Sequence, residues 1–345
     1  MRVLALSEYS KQVASARARV YAYEPRLRRD GHRVTVVPIH RTVEGGALVD
    51  LVAKRLLPFA APAVLPWFDV VLVHRFFPSG AWSARLLQRV ATRVVFDVDE
   101  SYHVDHLGAP VPARMQTRFD AMLRAADGVI VSNEYLHAYA GRHARSVSIV
   151  PTPVDVDRYR LRTHRARTPT VIGWIGSGGA QQYLDMLAPV FAKLHARYSH
   201  GVVLEVITSS AYRVHLDTPL AVRHVTWDLA HEFAFFDRFD IGIMPLPDNE
   251  RSRGKASYKA LEYMAAGVPV VASPVGMNTA VVAPGVTGYL ASSEHEWFEA
   301  LCTLIDSPAT RQAIGGRGRA FVAERFAVDV CYPRFKAALF GGSAA

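Results

Sequence analysis

Cysteine is nearly absent from this chain of 345 residues, which has only Cys302 and Cys331. Two are too few for a disulfide framework and they lack the spacing of a zinc site, so both are expected as small core residues. Long apolar runs are missing as well. The stretch 60–73 is broken by Pro62, Pro66 and Asp69, so it falls short of the roughly 20 uninterrupted apolar residues that a membrane-spanning helix requires. The opening "MRVLALSEYSK" holds one arginine and five apolar residues before turning polar. That is too short for the apolar core of a secretion signal and reads as a first buried strand, so a cytoplasmic location is the default expectation. There is no short-period repeat and no low-complexity tract. Half of the residues are hydrophobic, which at this length is enough for two domains with sizeable cores.

Acidic residues are scarce in one half only. Residues 1–165 carry 24 Lys and Arg against 15 Asp and Glu, whereas residues 166–345 carry 16 of each, so the whole net charge of +9 sits in the first half. Such asymmetry suggests an anionic partner for that half: nucleic acid, an acidic membrane surface or a phosphorylated acceptor. The alternative is a general richness in arginine. The stretch "GALVDLVAKRLLPFAAPAVLPW", residues 46–67, is apolar around Lys54 and Arg55. It fits either a helix packed on a sheet or a segment lying at a membrane interface.

Short β-branched runs at 2–6, 34–38, 69–73, 93–98, 128–131 and 147–150 alternate with segments of helical spacing or length, which predicts repeated βαβ units. Runs such as "DVVLV" and "DGVIV" are apolar on consecutive residues, as in parallel strands covered on both faces. The second half repeats the scheme with "TVIGWIG", "VVLEVI", "RHVTW", "DIGIMPL" and "VPVVAS". Between the halves, "PTPVDVDRYRLRTHRARTPT" (151–170) has three prolines and no clear period and reads as a linker. Two doubly wound domains of this kind are expected to bind a ligand where the carboxyl ends of their sheets face a cleft.

Two loops of the second half carry the chemistry. "GWIGSGGAQQYL" (173–184) follows a strand and opens a helix. Gly176, Ser177 and Gly178 there are candidates to cradle an anion on backbone amides, although the loop has neither the spacing of a dinucleotide site nor the Gly-Lys-Ser/Thr of a P-loop. "RSRGKASYKALEYMAAGVPVVAS" (251–273) is expected to be a polar loop that turns helical near Ala256 and stops at Gly267 and Pro269. Lys255 at the helix mouth and Lys259 one turn in have the wrong sign for the helix dipole. A bound anion would remove that penalty, and Glu262, three residues further on, has the chemistry to accept from a pair of hydroxyls such as a ribose diol. A Lys259–Glu262 ion pair on a solvated face is the plainer alternative.

At these residues the chain resembles a known family. The run "DIGIMPLPDNERSRGKASYKALEYMAAGVPVVASPVGMNTAVVAPGVTGYLA" is similar to the nucleotide-sugar-binding half of the retaining glycosyltransferases of GT-B fold, the group 1 or family 4 set. "VPTPVDVDRY" is similar to the segment that closes the first domain of that family. The resemblance implies an α/β protein of two Rossmann-like, doubly wound parallel-sheet domains facing a cleft. The acceptor domain would span 1–160 and the nucleotide-sugar domain 161–325, with a C-terminal helix in 326–345 crossing back to the first domain. It implies Glu262 as the ribose ligand, backbone amides of Ser257 and Tyr258 on the pyrophosphate, and Lys255, Lys259 and Arg253 as its neutralising cations. Lys255 would also take part in catalysis. Two departures stand out: Gly254 occupies the position of the family's first glutamate, with Glu250 nearby, and the basic pair expected after residue 176 is missing.

In the first half, "RVVFDVDESYHVDH" (93–106) crowds Asp97, Asp99, Glu100, His103, Asp105 and His106 into one loop. The residue types alone allow a divalent-metal site or a solvated loop without a role. The resemblance implies instead a group facing the transferred sugar, with Asp97 the first choice and Asp99 the second, and no metal. It also sets Arg17 and Arg19, after the first strand, and His74, at the end of another, on the acceptor or phosphate side.

The expected activity is transfer of a sugar from a nucleotide-diphosphate-sugar donor to an acceptor hydroxyl, possibly lipid-linked or anionic, with retention of configuration. No cofactor or metal is required for it. Peripheral contact with a membrane through the basic first domain is a further expectation. A nucleotide-sugar epimerase of the same fold and a non-catalytic nucleotide-sugar binder are the alternatives. A nucleic-acid partner is not expected, because the helix-mouth cations lie in the electrically neutral half.

Overall fold

The computed structural model describes residues 1–40, 63, 65–75, 81–105, 107–176, 181–209 and 215–342. The chain divides into two compact units. The first comprises Met1–Pro153, Gly254–Ala256 and Val328–Ala345, and the second Val154–Arg253 and Ser257–Ala327. The divisions thus fall at 153/154 and 327/328, and three residues from the middle of the second half group with the first unit.

The first unit is built on six parallel strands: β1 (Arg2–Tyr9), β2 (Arg33–His40), β3 (Val70–His74), β4 (Val94–Val98), β5 (Gly128–Val131) and β6 (Val147–Ile149). Their order in the sheet is β2-β1-β3-β4-β5-β6. The near-continuous apolar runs in the sequence have their cause here, because alternate residues of each strand enter two separate cores. Leu4, Leu6, Val71 and Val73 pack with Leu87, Phe119, Met122 and Leu136 from the helices Ala81–Val90, Ala113–Ala125 and Glu134–Ala140. Val3, Ala5, Val70 and Leu72 pack with Tyr23 and Leu27 and with Cys331, Phe335 and Leu339 of the C-terminal helix Val328–Phe340. That helix covers one face of the first sheet, and ion pairs from Arg26 to Asp329 and from Lys336 to Asp30 fasten it.

The second unit has six parallel strands: β7 (Thr170–Ile175), β8 (Val202–Thr208), β9 (Val222–Thr226), β10 (Ile241–Met244), β11 (Val270–Ala272) and β12 (Gly288–Leu290). They are ordered β12-β11-β10-β7-β8-β9. Both cysteines are buried, Cys302 in the core of this unit and Cys331 in that of the first.

Strand order also locates the crevices. In an open parallel sheet, neighbouring strands whose crossovers leave in opposite directions open a gap at their carboxyl ends. In the first unit that point is between β1 and β3, and in the second between β7 and β10.

Candidate active site

In the second unit the crevice is built from the ends of β7 and β10 and the helix Tyr258–Ala265. Ser257, just before the helix, has left-handed backbone angles (φ 52°, ψ 26°). Its hydroxyl donates to Asn278 Oδ1 (2.6 Å), and Asn278 Nδ2 donates to the Ser273 carbonyl (2.9 Å). These two buried side chains and the Ser273 carbonyl fix the turn that aims the helix N-terminus. The first helical bond is Leu261 N–H to Ser257 O (3.1 Å), so the amides of residues 258–260 precede it, at the positive end of the dipole.

Lys259 extends from this first turn over the Trp174 ring, with Nζ 5.9 Å from its centroid. One turn on, the Tyr263 hydroxyl accepts the Ile175 amide (3.2 Å), so the same helix is tied to the end of β7. Glu262 is 6% exposed and its Oε1 accepts from the Tyr159 hydroxyl (2.9 Å). Phe233 and Phe236 hold the Tyr159 ring edge-on. Burial, and next the Glu262 charge, push the Tyr159 hydroxyl far above its ordinary pKa. It therefore stays a donor, and the carboxylate is held in one orientation.

Several expected roles change. The helix begins at Tyr258 rather than Ala256, and the expected polar loop contains a short helix, Glu250–Arg253. Arg253 pairs with Asp248 (2.7 Å). The Gly176 amide donates to the Ile207 carbonyl (3.0 Å), continuing the β7–β8 ladder, so it is not an anion donor. A Cβ at 176 would stand 2.5 Å from the Trp174 ring, so glycine there leaves room for the indole that Lys259 covers. Ser177 and Gly178 lie outside the described residues.

In the first unit the register sets Ser7 beside His74 and His74 beside Asp97. Asp97 does not face outward. It is fully buried against Arg19, which donates from Nε to Oδ1 (3.0 Å) and from Nη2 to Oδ2 (2.8 Å) and, through Nη1, to the Val150 carbonyl (2.5 Å). Arg19 lies on a π-helical turn, Arg17–Tyr21, that turns it inward. Burial pushes the Asp97 carboxyl up to about 6 in spite of the guanidinium. The pair engages both groups, Asp97 expected to face the sugar and Arg19 expected on the acceptor or phosphate side. Arg17 donates to the Lys11 carbonyl (2.9 Å).

Asp99 is differently placed. Ser15 Oγ donates to its Oδ2, Tyr102 donates to Oδ1 (3.3 Å), and Arg75 Nε lies 3.7 Å from Oδ1. Burial raises the Asp99 pKa, but the Arg75 guanidinium outweighs it, and the carboxyl lies below its ordinary range. His74, expected on the acceptor side, is fully buried between Ser7 Oγ (3.2 Å) and Ser15 Oγ (3.0 Å). Burial pushes it down to about 3, so it is neutral at physiological pH.

Arg75 also reaches Glu8 (3.4 Å) and Glu100 (3.2 Å), and Lys255 Nζ lies 3.3 Å from Glu100 Oε1. Lys255 thus groups with the first unit. Asn133 holds its backbone, donating from Nδ2 to the carbonyls of Gly254 and Lys255 (both 3.1 Å) while its Oδ1 caps the helix Glu134–Ala140. A Cβ at Gly254 would stand 2.0 Å from Ser101 Oγ and 3.0 Å from the Ser101 amide. A side chain at 254 would therefore require Ser101 to shift. Among the described residues no three His, Cys, Asp or Glu groups converge as metal ligands; His106 lies outside the described residues.

Sequence reasoning passed over Tyr159, Asn278, Ser7 and Ser15. A hydroxyl or amide that acts on a residue far along the chain leaves no spacing to detect. Asn133 had a local signal, since Asn followed by Glu before an apolar run marks a helix start.

The two parallel sheets with their flanking helices are those of the GT-B fold. Sucrose-phosphate synthase from Thermosynechococcus elongatus superposes with a TM-score of 0.72 at 16% identity, over 97% of this chain and 98% of that one. HepE of Anabaena, solved with UDP and glucose, gives 0.71 at 13% identity over 98% and 99%. Residues 169–307 match the family model described as Glycosyl transferases group 1, which bears out the resemblance over that segment. D-inositol 3-phosphate glycosyltransferase of Corynebacterium glutamicum (strain R) is 45% identical over 75 residues, a match that spans 21% of this chain and only 17% of that relative.

Proposed function

We propose that the protein is a glycosyltransferase that moves a sugar from a nucleotide-diphosphate-sugar to an acceptor hydroxyl. One observation carries the donor side: a buried carboxylate, Glu262, clamped by Tyr159 on a helix whose first turn presents backbone amides and Lys259. The carboxylate suits a ribose diol and the helix mouth suits a diphosphate. Charge that develops on the departing diphosphate would be stabilised there by the amides and the ammonium group. HepE was solved with UDP, which makes UDP the first ligand to test.

On the acceptor side the assignment passes from Asp97 to Asp99, which is ionised and does not form part of the bidentate arginine pair. Asp99 orients the acceptor hydroxyl. Retention of configuration follows if the bond from the anomeric carbon to the phosphate oxygen breaks, the acceptor oxygen bonds on the same face, and the hydroxyl proton passes to the leaving diphosphate. No protein nucleophile is then needed. The basic charge of the first half, and Trp67, which is 66% exposed at the end of the 46–67 stretch, support a membrane-borne or anionic acceptor. The rest of that stretch, residue 63 and Leu65–Trp67 apart, lies outside the described residues.

The test is calorimetric titration with UDP, GDP and dTDP. One of them should bind, and Glu262→Gln and Lys259→Ala should each weaken it by about 10-fold or more, since each removes a charge-assisted contact of about 1.5–3 kcal/mol. Tyr159→Phe should weaken it less. Unchanged affinity in the first two variants refutes the donor site.

A further inference from the structure

Ser7, His74, Ser15 and Asp99 form a hydrogen-bonded chain at the β1/β3 crevice whose direction can be worked out. The Ser15 hydroxyl has one proton, and it is given to Asp99 Oδ2, a carboxylate oxygen that only accepts. Ser15 Oγ must then accept from His74 Nε2, 3.0 Å away. The neutral imidazole therefore carries its proton on Nε2, which leaves Nδ1 to accept from the Ser7 hydroxyl at 3.2 Å. Every proton in the chain points toward Asp99.

The arrangement is costly unless it has a purpose. Ser7 and His74 are fully buried, and an apolar pair at the β1/β3 contact would fill the space without requiring a fixed tautomer. The charged and titratable groups facing the chain are Arg19 and Asp97, which neutralise each other, and Arg75 with Glu8, Glu100 and Tyr102. Arg75 Nε lies 3.7 Å from Asp99 Oδ1, whereas the chain ends on Oδ2.

Resting on the glycosyltransferase reading for its purpose, we infer that Ser15 and His74, anchored by Ser7, are positioning residues that hold the Asp99 carboxylate as the acceptor for the incoming substrate hydroxyl. They act through Asp99 and touch no substrate. A hydrogen-bonded chain of fixed polarity keeps the carboxylate from rotating and from being protonated, and both would remove the acceptor that orients the hydroxyl.

The test uses the full chain labelled with 15N-histidine and 13C-carboxyl aspartate, with His74→Leu and Asp99→Asn to assign the two signals. His74 should show the neutral Nε2–H pattern from pH 8 down to about 5. The Nδ1–H tautomer, or protonation within that range, overturns the chain. In Ser15→Ala the titration midpoint of Asp99 should move to higher pH, and in Ser15→Thr, which keeps the hydroxyl, it should stay near the wild-type position. An Asp99 midpoint unmoved in Ser15→Ala overturns the positioning role, and a thermal melt of each variant identifies any change due to misfolding. UDP titrated into Ser15→Ala should bind as it does to wild type, whereas its loss would move the chain to the donor side and overturn the inference. If wild type binds none of the three nucleotides tested above, the functional reading falls and the acceptor role with it, while the spectra still decide whether the chain exists.

Discussion

Replacing Arg19 by Met and Asp97 by Leu, singly and together, separates a structural ion pair from a catalytic carboxylate. Both side chains are 0% exposed and joined by two hydrogen bonds, at 2.8 and 3.0 Å. Removing one partner strands a buried charge, which costs about 3–5 kcal/mol. Removing both leaves no buried charge, only the Val150 carbonyl without its Arg19 donor, so the cost should be smaller than for either single variant, about 1–3 kcal/mol at most. The rise of the Asp97 carboxyl to about 6 points the same way, since burial there outweighs the attraction of the guanidinium. The singles should thus be far from additive, with a coupling energy of about 3 kcal/mol or more. The assay is urea unfolding at pH 7.5 followed by a probe within the first unit, because a chain of two units need not unfold in one step. Single variants within about 0.5 kcal/mol of wild type, or additive effects, refute the reasoning. So does an Asp97→Asn variant of wild-type stability that abolishes turnover, for that would return the sugar-facing role to Asp97.

Gly254→Ala should destabilise the first unit by about 1–3 kcal/mol through overpacking against Ser101, and Ser101→Ala should recover part of that loss in a thermal melt. Full stability of Gly254→Glu would show that the missing glutamate has no steric cause. His164 donates to the Gly267 carbonyl (2.9 Å), and burial pushes it down to about 4. The unfolded chain, with a histidine near 6.5, binds the proton first, so the stability from this group is complete above pH 6.5 and is lost as pH falls toward 4. Wild type should therefore lose stability relative to His164→Asn between pH 7 and 5, and parallel curves would contradict the assignment. Sedimentation with vesicles should show binding that rises with anionic lipid and falls with salt, at about 1 kcal/mol per engaged cation. Trp67→Ala should weaken it, and indifference to anionic vesicles at low salt would make the charge a matter of composition.

Much of the fold was already legible in the residue pattern. The runs at 2–6, 34–38, 69–73, 93–98, 128–131 and 147–150 predicted all six strands of the first sheet to within a few residues, because a parallel strand buried on both faces must be apolar on consecutive positions. The helix Tyr258–Ala265 was legible for a similar local reason: Gly267 and Pro269 end it, and Lys259 and Glu262 lie on its face three residues apart. Side-chain partners were not legible, because they are set by which strand ends the topology brings together. Arg19 and Asp97 stand 78 positions apart and Lys255 and Glu100 155 apart, and no spacing rule links them. The π-helical turn sends Arg19 inward and leaves Asp99, two residues beyond Asp97, as the carboxylate at the end of the serine–histidine chain. Sequence alone determined which residue types gather at the strand ends; tertiary packing decided which of them neutralise one another and which carboxylate ends the serine–histidine chain, since burial and proximity belong to the folded chain only.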